Sequence, residues 1–597
     1  MTRHLITSAL PYVNGYKHLG NLVGCLLPAD VFARFCRQQG HETLFICATD
    51  DHGTPAELGA IKEGEAPATY VAKWHDLQEN IYTRFGLSFD WFGGTSRAPN
   101  HALTQHLARK LKDNGLIETR TETMLFSKAD DRFLPDRYVE GTCPKCGFAK
   151  ARGDQCDGCG SVLNPTDLIN PYSSISGSKE LELRDSQHLY LLQSKLVDKL
   201  RSWIDTQKHW PKLSTSIAYK WLDEGLQDRG ITRDMKWGVP VPTDTFGDAF
   251  ANKVFYVWFD APIGYIAATE EWANAQGYKT PADGVPLSSP ARRWWYGDEA
   301  KDVTYTEFMG KDNVYFHTLS FPATLIGSNE PWTMVNTLKS YSWLTYYGGK
   351  FSTSMGVGVF TDTAIELLPA DYWRYYLLAR APEGDDSEFR WTDMQTVVNK
   401  DLADVLGNFV NRTLTFTAKH FGNTIPPMGE LTEAEDQLAE AIAARVTKLT
   451  AHMANADMRK SVEVLRDIWT LGNEYLATQE PWKVIKTDKD RAATILATAI
   501  ALIPLYATLA APIIPFTAST LMALFPSLET PKTAHPQPDA TLPATLHTPW
   551  SWPTADDIPD LLGFPPTGTF SVPPPLFAKL TDEQIADWEA RFGNKKV

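Results

Sequence analysis

Positive charge is scarce in this chain of 597 residues, where 57 lysines and arginines stand against 72 aspartates and glutamates, for a net charge of −15. Sequence-independent affinity for nucleic-acid phosphates comes mainly from clustered lysine and arginine. The composition therefore argues against a protein that coats DNA or RNA indiscriminately, although a local basic face would still allow a specific RNA partner. The length and a hydrophobic content of 43% are enough for several ordinary domains.

A secretory leader is also missing, because Met1-Thr-Arg-His leads almost directly into the first apolar segment. We therefore expect a cytoplasmic protein. Residues 492–528 carry no charged side chain, and such a run must be tested against a membrane span. Pro504, Pro512 and Pro515 interrupt it, and threonine and serine recur, so the run favours buried bundle helices and no membrane partner.

The opening stretch predicts a strand, a loop and a helix N-terminus. Residues 5–10 read as a buried strand, and a helix is predicted from about His18 to Gln39. A helix start presents unpaired N–H groups and the positive end of its dipole, so the junction predicts an anion site. Gly20 leaves room for a flat base or a phosphate, and His18 and Asn21 are placed to donate hydrogen bonds to phosphate oxygens. For so short a motif a surface loop is the alternative.

Polar residues follow two further predicted parallel strands. Residues 43–49 form a continuous apolar run that ends at Asp50, which is placed to hold a substrate ammonium or else to cap the next helix. Residues 305–317 predict a second strand exit, at which Gly310 permits close backbone approach and Asp312 is placed to accept ribose hydroxyls. Because parallel strands bind ligands beyond their carboxyl ends, we expect these residues to meet His18, Trp258 and Lys350 at a single crevice.

Aromatic residues crowd the same strand exits. Residues 253–265 predict a strand that ends in a turn containing Pro and Gly. Its aromatic residues, together with those after residue 315, indicate either a pocket for an apolar substrate or an ordinary aromatic core; they are Trp258, Tyr265, Phe316 and His317.

Two Cys-x2-Cys pairs interrupt the alternation of strands and helices between about residues 120 and 229. Nine residues separate the pairs, which are Cys143, Cys146, Cys156 and Cys159. This spacing places four thiolates around one tetrahedral ion, and in a cytosolic chain zinc is favoured over disulfides. We predict one structural zinc ion per chain, which folds a small insert with little core of its own. The remaining cysteines, Cys25, Cys36 and Cys47, read as small buried hydrophobes.

Helical periodicity replaces the strand pattern beyond about residue 395. The predicted helices cover residues 399–420, 433–453 and 459–479 and continue from 489 onward, which indicates an α-helical bundle. Asn411 and Trp482 offer a polar donor and a stacking ring suited to unstacked RNA bases. Trp482 is equally compatible with a core position at a helix corner.

The last segment predicts a proline-rich linker and one helix. Prolines are dense from residue 525 to 575 and no period is sustained. Thr581-Asp-Glu-Gln584 then has the pattern of a capping box. The helix that follows has an apolar stripe that we expect to dock onto the body of the protein or onto a partner: Leu580, Ile585, Trp588 and Phe592.

Two motifs resemble the signatures of class I aminoacyl-tRNA synthetases. His18-Leu-Gly-Asn21 is similar to their His-Ile-Gly-His motif. Residues 346–354, here called the signature loop, contain Lys350-Phe-Ser-Thr-Ser354, which is similar to their Lys-Met-Ser-Lys-Ser motif. Thr353 stands where the second lysine is expected, so one point charge on the developing pyrophosphate is lost. The role of that second lysine must therefore be taken by Lys350, by Mg²⁺ or by another residue.

Within that class the chain resembles the methionyl-tRNA synthetase family from His4 to about Phe525. Several motifs in the expected order carry this resemblance: Ala9-Leu-Pro-Tyr-Val-Asn14, His18-Leu-Gly-Asn21, the four-cysteine insert, Val257-Trp-Phe-Asp-Ala-Pro-Ile-Gly-Tyr265 and Gln479-Glu-Pro-Trp482. The resemblance implies a Rossmann-like α/β catalytic domain with a parallel sheet, split by a zinc-binding insert and followed by an all-α anticodon-binding bundle. The implied division is 1–117 with 250–343 for catalysis, 118–249 for the insert, 344–395 for the signature loop and stem contact, 396–527 for the bundle and 528–597 for the linker and last helix.

The resemblance also implies a set of site residues. Catalysis is expected from His18, Asn21, Asp50 and Lys350. Methionine would contact Leu10, Tyr12, Asp50, Trp258, Ala261, Pro262, Tyr265, Phe316 and His317. ATP would contact His18, Gly20, Asn21, Gly310, Asp312, Lys350, Ser352, Thr353 and Ser354, and the anticodon would contact Asn411 and Trp482. Asn313 and Phe321 depart from the pattern that some relatives have around the thioether.

The implied reaction joins L-methionine to ATP, assisted by Mg²⁺, and then transfers the methionyl group from the adenylate to tRNA(Met). The site has donors and no nucleophile–base pair, which fits catalysis by positioning and charge stabilisation. Two alternatives are a tRNA-binding module that has lost catalysis and a class I synthetase for another apolar amino acid. The oligomeric state is left open by the sequence, with a monomer favoured.

Overall fold

The structure is a computed structural model that describes residues 2–153, 156, 158–159, 161, 163–282, 284–351, 357–528 and 550–592. The predicted ATP contacts Ser352, Thr353 and Ser354 lie outside the described residues.

A five-stranded parallel sheet forms the first part of the protein. Its strands are, in spatial order, Thr337–Tyr341, Val303–Gly310, Arg3–Ser8, Glu42–Thr49 and Trp91–Gly94. The inner strands are buried on both faces, as expected for parallel strands covered by helices. These helices are Leu19–Asn21 continuing through the π-helical segment Leu22–Leu26 into Leu27–Gln38, then Thr54–Glu63, Pro67–Arg84, Ala98–Asp113, Gly264–Ala275, Ser289–Trp295 and Phe321–Gly327.

The strand order reverses beside the first strand, which places a crevice between two strand ends. The chain leaves Arg3–Ser8 toward Glu42–Thr49 on one side, and Val303–Gly310 pairs with it on the other, with Ser8 opposite Phe308. Such a reversal is where open α/β sheets bind ligands. The predicted strand, the helix from His18 and the strand ending before Asp50 are confirmed, with bounds shifted by one or two residues.

The prediction of a strand over residues 253–265 is wrong. Only Val254–Phe255 is extended, and the chain then turns into the helices Val257–Asp260 and Gly264–Ala275. The buried Asp260 explains the difference, because its carboxylate accepts hydrogen bonds from His52 Nδ1 at 2.7 Å and Asn100 Nδ2 at 3.2 Å. This tertiary contact overrides the β propensity of an aromatic run.

The insert that carries the four cysteines is built from antiparallel strands. A four-stranded sheet has the order Arg229–Gly230, Leu181–Leu191, Ile117–Ser127, Arg132–Phe133, and a three-stranded sheet has the order Ala151–Arg152, Val139–Thr142, Ile169–Ser173. Thr232–Arg233 pairs with Val254–Phe255 and returns the chain to the main sheet. The helices of this region are Val197–Thr206, Lys212–Asp223 and Thr243–Phe246.

The predicted bundle is confirmed, with a long continuous helix at its start. Leu344–Tyr346 pairs with Ser387–Phe389, and the helices Thr361–Leu367, Ala370–Ala379 and Trp391–Val397 lead into the bundle. The bundle consists of the π-helical Val398–Gly407 with Asn408–Phe421, then Glu433–Ala454, Met458–Gln479, Pro481–Val484, Lys489–Ala510 and Pro515–Met522. In the part of the chain that the structure describes, two helices are long and apolar enough to cross a membrane, Leu19–Gln38 and Lys489–Ala510, but most of their residues are buried inside the protein.

The terminal segment folds back onto the body of the protein, as predicted. The capping box is formed, since Thr581 N–H donates to Gln584 Oε1 at 2.9 Å and Gln584 N–H to Thr581 Oγ1 at 3.3 Å. The helix Asp582–Phe592 packs Trp588 against Trp391, with ring centroids 4.9 Å apart. The short helix Ile558–Gly563, within the stretch predicted to be an extended linker, was not predicted.

A buried ion pair joins the sheet to the bundle. Arg374, on Ala370–Ala379, donates to Asp30 Oδ2 at 2.7 Å, and neither side chain is exposed. The same guanidinium donates to the carbonyls of Pro512 and Ile513 at 2.8 Å each, beyond the end of Lys489–Ala510. Although burial alone would raise it, Arg34 and Arg374 hold the pKa of Asp30 well below its usual range.

We expect Arg374→Met to destabilise the protein by about 3–5 kcal/mol, because it leaves Asp30 short of a cation and three backbone carbonyls short of donors inside the core. Urea unfolding measures the change. Arg390→Met is the control, since Arg390 pairs with Glu388 with 54% of its side chain exposed and its loss should leave the unfolding free energy nearly unchanged. Equal effects of the two substitutions would contradict the assignment.

Candidate active site

Six of the residues predicted to contact ATP line one cavity. The cavity has a volume of about 300 Å³ and lies at the reversal of the strand order. Its predicted members are His18, Gly20, Asn21, Gly310, Asp312 and Lys350. They come from the N-terminus of the helix Leu19–Gln38, from the end of Val303–Gly310 and the turn after it, and from the signature loop. Their role as ATP contacts stays a prediction, but the structure brings them together.

His18 lies at the N-terminus of Leu19–Gln38 with its ring stacked on Phe351, at 4.8 Å between centroids. A Cβ atom on Gly20 would lie 2.9 Å from the His18 imidazole, so glycine is required for this ring position. Asn21 Oδ1 accepts the His18 backbone N–H at 3.2 Å, which leaves the amide NH2 group of Asn21 as the donor. Burial, followed by the charge of Lys17, lowers the pKa of His18 to about 4, so the imidazole is neutral at pH 7.

Trp343 is a further member of this cavity that the sequence did not reveal. Its side chain is 42% exposed, and two ammonium groups lie over its ring, Lys311 Nζ at 4.1 Å and Lys350 Nζ at 4.9 Å from the centroid. Cation–π attraction therefore holds Lys350 at the rim of the cavity. Cys25, predicted to be a buried hydrophobe, is only half-buried and also lines the cavity, whereas Cys36 and Cys47 are buried as predicted.

The predicted methionine contacts gather around a stacked pair of rings. Trp258 and Phe316 stack with centroids 3.8 Å apart, and Tyr12 meets Trp258 edge-on at 6.3 Å. Leu10, like these three rings, is half-buried, while the others are buried: Ala261, Pro262, Tyr265 and His317. Of the two positions that depart from the family pattern, Asn313 lines the 300 Å³ cavity, and Phe321 packs against Tyr265 with ring centroids 6.4 Å apart.

The expectation of a single crevice is wrong in this structure. Tyr12 and Trp258 line a separate cavity of about 100 Å³, whereas His18 and Lys350 line the larger one. Phe316, which stacks on Trp258, follows Asp312 and Asn313 of the larger cavity after a single turn of chain. The side chains of the two predicted subsites are therefore neighbours without sharing one open space.

Asp50 is buried at the end of Glu42–Thr49 and forms a bridge with Tyr12. Its Oδ1 has no hydrogen-bond partner. Burial, with the nearby carboxylates of Asp260 and Asp51, raises the pKa of Asp50 well above its usual value. A buried carboxyl with an open acceptor is suited to a cationic group, which would offset these effects and favour the ionised form.

A buried polar cluster below the aromatic residues was missed by sequence reasoning. His317 Nδ1 contacts Asn313 O at 2.8 Å and Nε2 contacts Tyr265 Oη at 2.9 Å. Burial lowers the pKa of His317 to about 4, so we assign a neutral ring with Nδ1–H as donor and Nε2 as acceptor. Glu307 Oε1 lies 3.6 Å from His317 Nε2 and accepts from Tyr305 Oη at 3.0 Å. A glutamate inside a predicted strand gives no sequence signal of such a role.

The four predicted cysteine ligands come together in the insert. Their sulfur atoms all lie within 4.8 Å of one another, with Cys143 and Cys159 3.9 Å apart and Cys146 and Cys156 3.6 Å apart. These separations are close to the roughly 3.8 Å between thiolates on a tetrahedral ion with bonds of about 2.3 Å. They are too long for disulfides. The cluster can therefore hold one metal ion.

The two predicted anticodon contacts lie on neighbouring helices of the bundle. Asn411 is exposed on Asn408–Phe421, and Trp482 is half-buried on Pro481–Val484. The Arg412 guanidinium lies 5.0 Å from the Trp482 ring centroid and covers it. Trp482 is thus only partly buried, and the face of its ring is covered by Arg412. Its contact with RNA stays a prediction.

The fold and the site place the protein in a class. A parallel sheet with a helix N-terminus, a glycine and a lysine-bearing loop at its strand reversal belongs to the nucleotide-dependent α/β enzymes. The family described as tRNA synthetases class I (M) matches residues 4–414, and the anticodon binding domain of methionyl tRNA ligase matches residues 425–597.

Two relatives match along their whole lengths. The methionine–tRNA ligase of Caulobacter vibrioides (strain NA1000 / CB15N) is 54% identical over 595 residues, which cover 99% of this chain and 100% of that protein. That of Streptomyces avermitilis is 51% identical over 597 residues, with 99% of both chains covered. The chain belongs to the methionine–tRNA ligase family of class I aminoacyl-tRNA synthetases.

Solved structures agree with this fold. Mycobacterium tuberculosis methionyl-tRNA synthetase in complex with methionyl-adenylate matches with a TM-score of 0.72 over 96% of this chain and 99% of that chain, at 23% identity. The apo form of the same synthetase matches with a TM-score of 0.67. At this identity the likeness concerns the fold, including the insert and the helical region.

We expect the buried cluster to make stability depend on pH. Burial raises the pKa of Glu307 to about 8, so the folded protein retains a proton that the unfolded chain has lost above about pH 4.5. The contribution of Glu307 to the unfolding free energy is therefore fully present below about pH 4.5 and is lost as the pH rises through about 8. Between pH 5 and 8 the loss is about 3 kcal/mol.

Glu307→Gln replaces the protonated acid by a neutral side chain of the same shape. The unfolding free energy of this variant should therefore fall less, as the pH rises, than that of the natural protein. Urea unfolding at pH 5, 6.5 and 8 measures the slope. Glu440→Gln, at an exposed position of Glu433–Ala454, is the matched control and should keep the natural slope. Parallel slopes for the natural protein and Glu307→Gln would show that Glu307 is ionised in the folded state.

Proposed function

We propose that the protein is a methionine–tRNA ligase that activates L-methionine with ATP and transfers the methionyl group to tRNA(Met). The observation that carries the proposal is the cavity at the strand reversal, where the two class I signatures meet beside the aromatic cluster. Two matched families and relatives at more than half identity over the whole chain support the same assignment.

ATP is proposed to bind in the 300 Å³ cavity. Gly20, which lines this cavity without a side chain, is proposed to contact ATP, and the positive end of the dipole of Leu19–Gln38 to attract the phosphates. Asp312 accepts the ribose hydroxyls, and Lys350 moves from the Trp343 ring onto the phosphates. Ser352, Thr353 and Ser354 are proposed to contact the phosphates as well, on the signature motif alone. Mg²⁺ is proposed to accompany ATP and to neutralise phosphate charge.

Methionine is proposed to bind between Asp50 and the aromatic residues. Asp50 ionises as it receives the α-ammonium, and the Trp258 and Phe316 rings contact the thioether. Neutral His317, fixed by Tyr265 and Asn313, closes the end of the pocket. The carboxylate of methionine then attacks the α-phosphate of ATP and releases pyrophosphate. His18 and Asn21 stabilise charge on the phosphate oxygens, so positioning and electrostatics supply the catalysis.

The metal site, the anticodon contacts, the domain boundaries and the cellular location are proposed as well. The four cysteines hold one structural zinc ion, since four thiolates close the coordination sphere and leave no position for water. Asn411 and Trp482 contact the anticodon, in a bundle that begins near residue 396. The other divisions are those predicted from the sequence, and the protein acts in the cytoplasm.

Methionine-dependent exchange of pyrophosphate into ATP tests the function. The natural protein, loaded with zinc and Mg²⁺, should catalyse exchange with methionine and give background rates with leucine, isoleucine, valine and cysteine. Preference for one of these amino acids would identify another class I synthetase. Binding of tRNA(Met) without exchange would identify a module that has lost catalysis.

Two substitutions should separate the proposed subsites. Asp50→Asn removes the charge that faces the ammonium and should lower kcat/KM for methionine about 100-fold, with KM for ATP within about twofold. Asp312→Ala should raise KM for ATP about tenfold and leave KM for methionine unchanged. Exchange kinetics with each substrate varied in turn give these constants. Asp76→Asn, at an exposed position of Pro67–Arg84, is the control. A methionine effect from Asp312→Ala would reverse the assignment.

Removal of one thiolate should abolish metal binding. Cys143→Ala leaves three ligands, so we expect the zinc content after dialysis to fall from about one ion per chain to none. Inductively coupled plasma mass spectrometry measures the zinc content. Cys36→Ala, at a buried cysteine remote from the cluster, should keep the full content. Zinc retained by Cys143→Ala, or absent from the natural protein after reconstitution, would contradict the site.

A further inference from the structure

The signature loop leaves the body of the protein through a two-residue turn at Tyr347 and Gly348. Across this turn Tyr346 N–H donates to Gly349 O at 2.8 Å, and Gly349 N–H donates to Tyr346 O at 2.9 Å. The φ angle is +49° at Tyr347 and +79° at Gly348, which is the pattern of a type I′ turn. Lys350, at the rim of the nucleotide cavity, follows directly. The backbone conformation of the turn therefore determines where the chain places Lys350.

Tyrosine is an unfavourable residue for the first position of this turn. Asparagine, aspartate and glycine are preferred there because they tolerate positive φ, whereas a bulky side chain does so only where its surroundings hold it. The Tyr347 ring is held against Tyr346, with centroids 5.0 Å apart, and near the Arg390 guanidinium at 5.7 Å. These contacts fix the ring plane and leave the phenol oxygen to be fixed by polar partners.

Glu589 supplies one of those partners from the other end of the chain. The Tyr347 hydroxyl donates to Glu589 Oε1 at 2.5 Å and accepts from Trp391 N–H at 3.3 Å. Glu589 is half-buried on the helix Asp582–Phe592, one residue after Trp588, which packs on Trp391. The start of this helix is anchored as well, since Gln395 Nε2 donates to Leu580 O at 3.1 Å. The helix is thus held at both ends, and Glu589 has a fixed place beside the turn.

We propose that Glu589 is a positioning residue for the signature loop: it holds Tyr347 in the left-handed conformation from which Lys350 is directed at the nucleotide cavity. The inference rests on the proposed function, because the residue that it positions is the proposed ATP contact. Glu589 touches no substrate in this arrangement. Its effect reaches the reaction only through Tyr347 and the turn.

A different result is expected if Glu589 serves only to dock the helix Asp582–Phe592. Loss of docking would lower stability and disturb both substrates or neither. Loss of the turn geometry acts on Lys350, and therefore on ATP, and leaves the methionine subsite around Trp258 as it was. The ATP constants, measured beside the methionine constants, separate the two roles.

The test compares Glu589→Ala and Tyr347→Phe with the natural protein in methionine-dependent ATP–pyrophosphate exchange. Each substitution removes one side of the same hydrogen bond, so we expect each to lower kcat/KM for ATP about tenfold, with KM for methionine within about twofold. The double variant should lose no more than either single variant, because both remove one interaction.

Two variants serve as controls. Glu589→Gln keeps an acceptor for the Tyr347 hydroxyl and should restore kcat/KM for ATP to within about threefold of the natural value. Glu583→Ala makes the same change as Glu589→Ala at an exposed position on the same helix, and it should match the natural protein. Thermal unfolding of each variant shows whether the helix remains docked.

A second measurement does not require catalysis. Lys350 is exposed and precedes Phe351, so trypsin cuts the signature loop at this bond at a rate that reports how firmly the turn is held. Without substrates, Glu589→Ala should be cut about fivefold faster than Glu583→Ala.

The outcomes are distinguishable. Equal ATP constants and equal cleavage rates for Glu589→Ala and Glu583→Ala would overturn the inference, as would a loss shared by both substrates in step with the unfolding temperature. A natural protein without methionine-dependent exchange would count against the proposed function instead. The cleavage rates would then still decide whether Glu589 holds the turn.

Discussion

The carboxylate of Asp30 is the point on which the arrangement of the large parts depends. One of its oxygens accepts from Arg34 and Arg374, and the other accepts from the backbone and hydroxyl of Ser88. Every acceptor position of a fully buried charge is thus used. Because an unpaired charge in this place would be strongly unfavourable, these contacts stabilise the observed placement of the sheet, the Ala370–Ala379 helix and the bundle. The cavity at the strand reversal and the helical bundle are thereby held in fixed positions relative to one another.

Much of this fold is predictable from the sequence because its signals are local and periodic. The buried parallel strands are continuous apolar runs, and the bundle helices repeat at the helical period, so both were found with small errors at their ends. The run from residue 253 to 265 shows the limit of that reasoning. Its composition favours a strand, but the position of Asp260 against His52 and Asn100 is decided by residues that are distant in sequence.

The candidate site divides in the same way. His18, Gly20 and Lys350 belong to short motifs with a recognisable spacing, and the structure brings them into one cavity. Glu307 and Trp343 belong to no motif, and their importance comes from what the fold places beside them: a neutral histidine in one case and two ammonium groups in the other. The stacking of Trp258 on Phe316 likewise depends on side-chain packing that no pattern of residues records.

The long helix that opens with the His18 motif has a consequence for exchanging parts between related proteins. Its first turn belongs to the nucleotide cavity, whereas its last turn meets other segments: Gln38 Nε2 donates to Thr508 O at 2.9 Å, and Gln38 O accepts from Trp552 N–H at 3.0 Å. A helix of this length is about 30 Å long, so a tilt of about 3° at one end shifts the other by about 1.5 Å. A helical region grafted from another synthetase would therefore need side chains that match the contacts at Gln38. Without them the helix would tilt, and the His18 imidazole would be displaced.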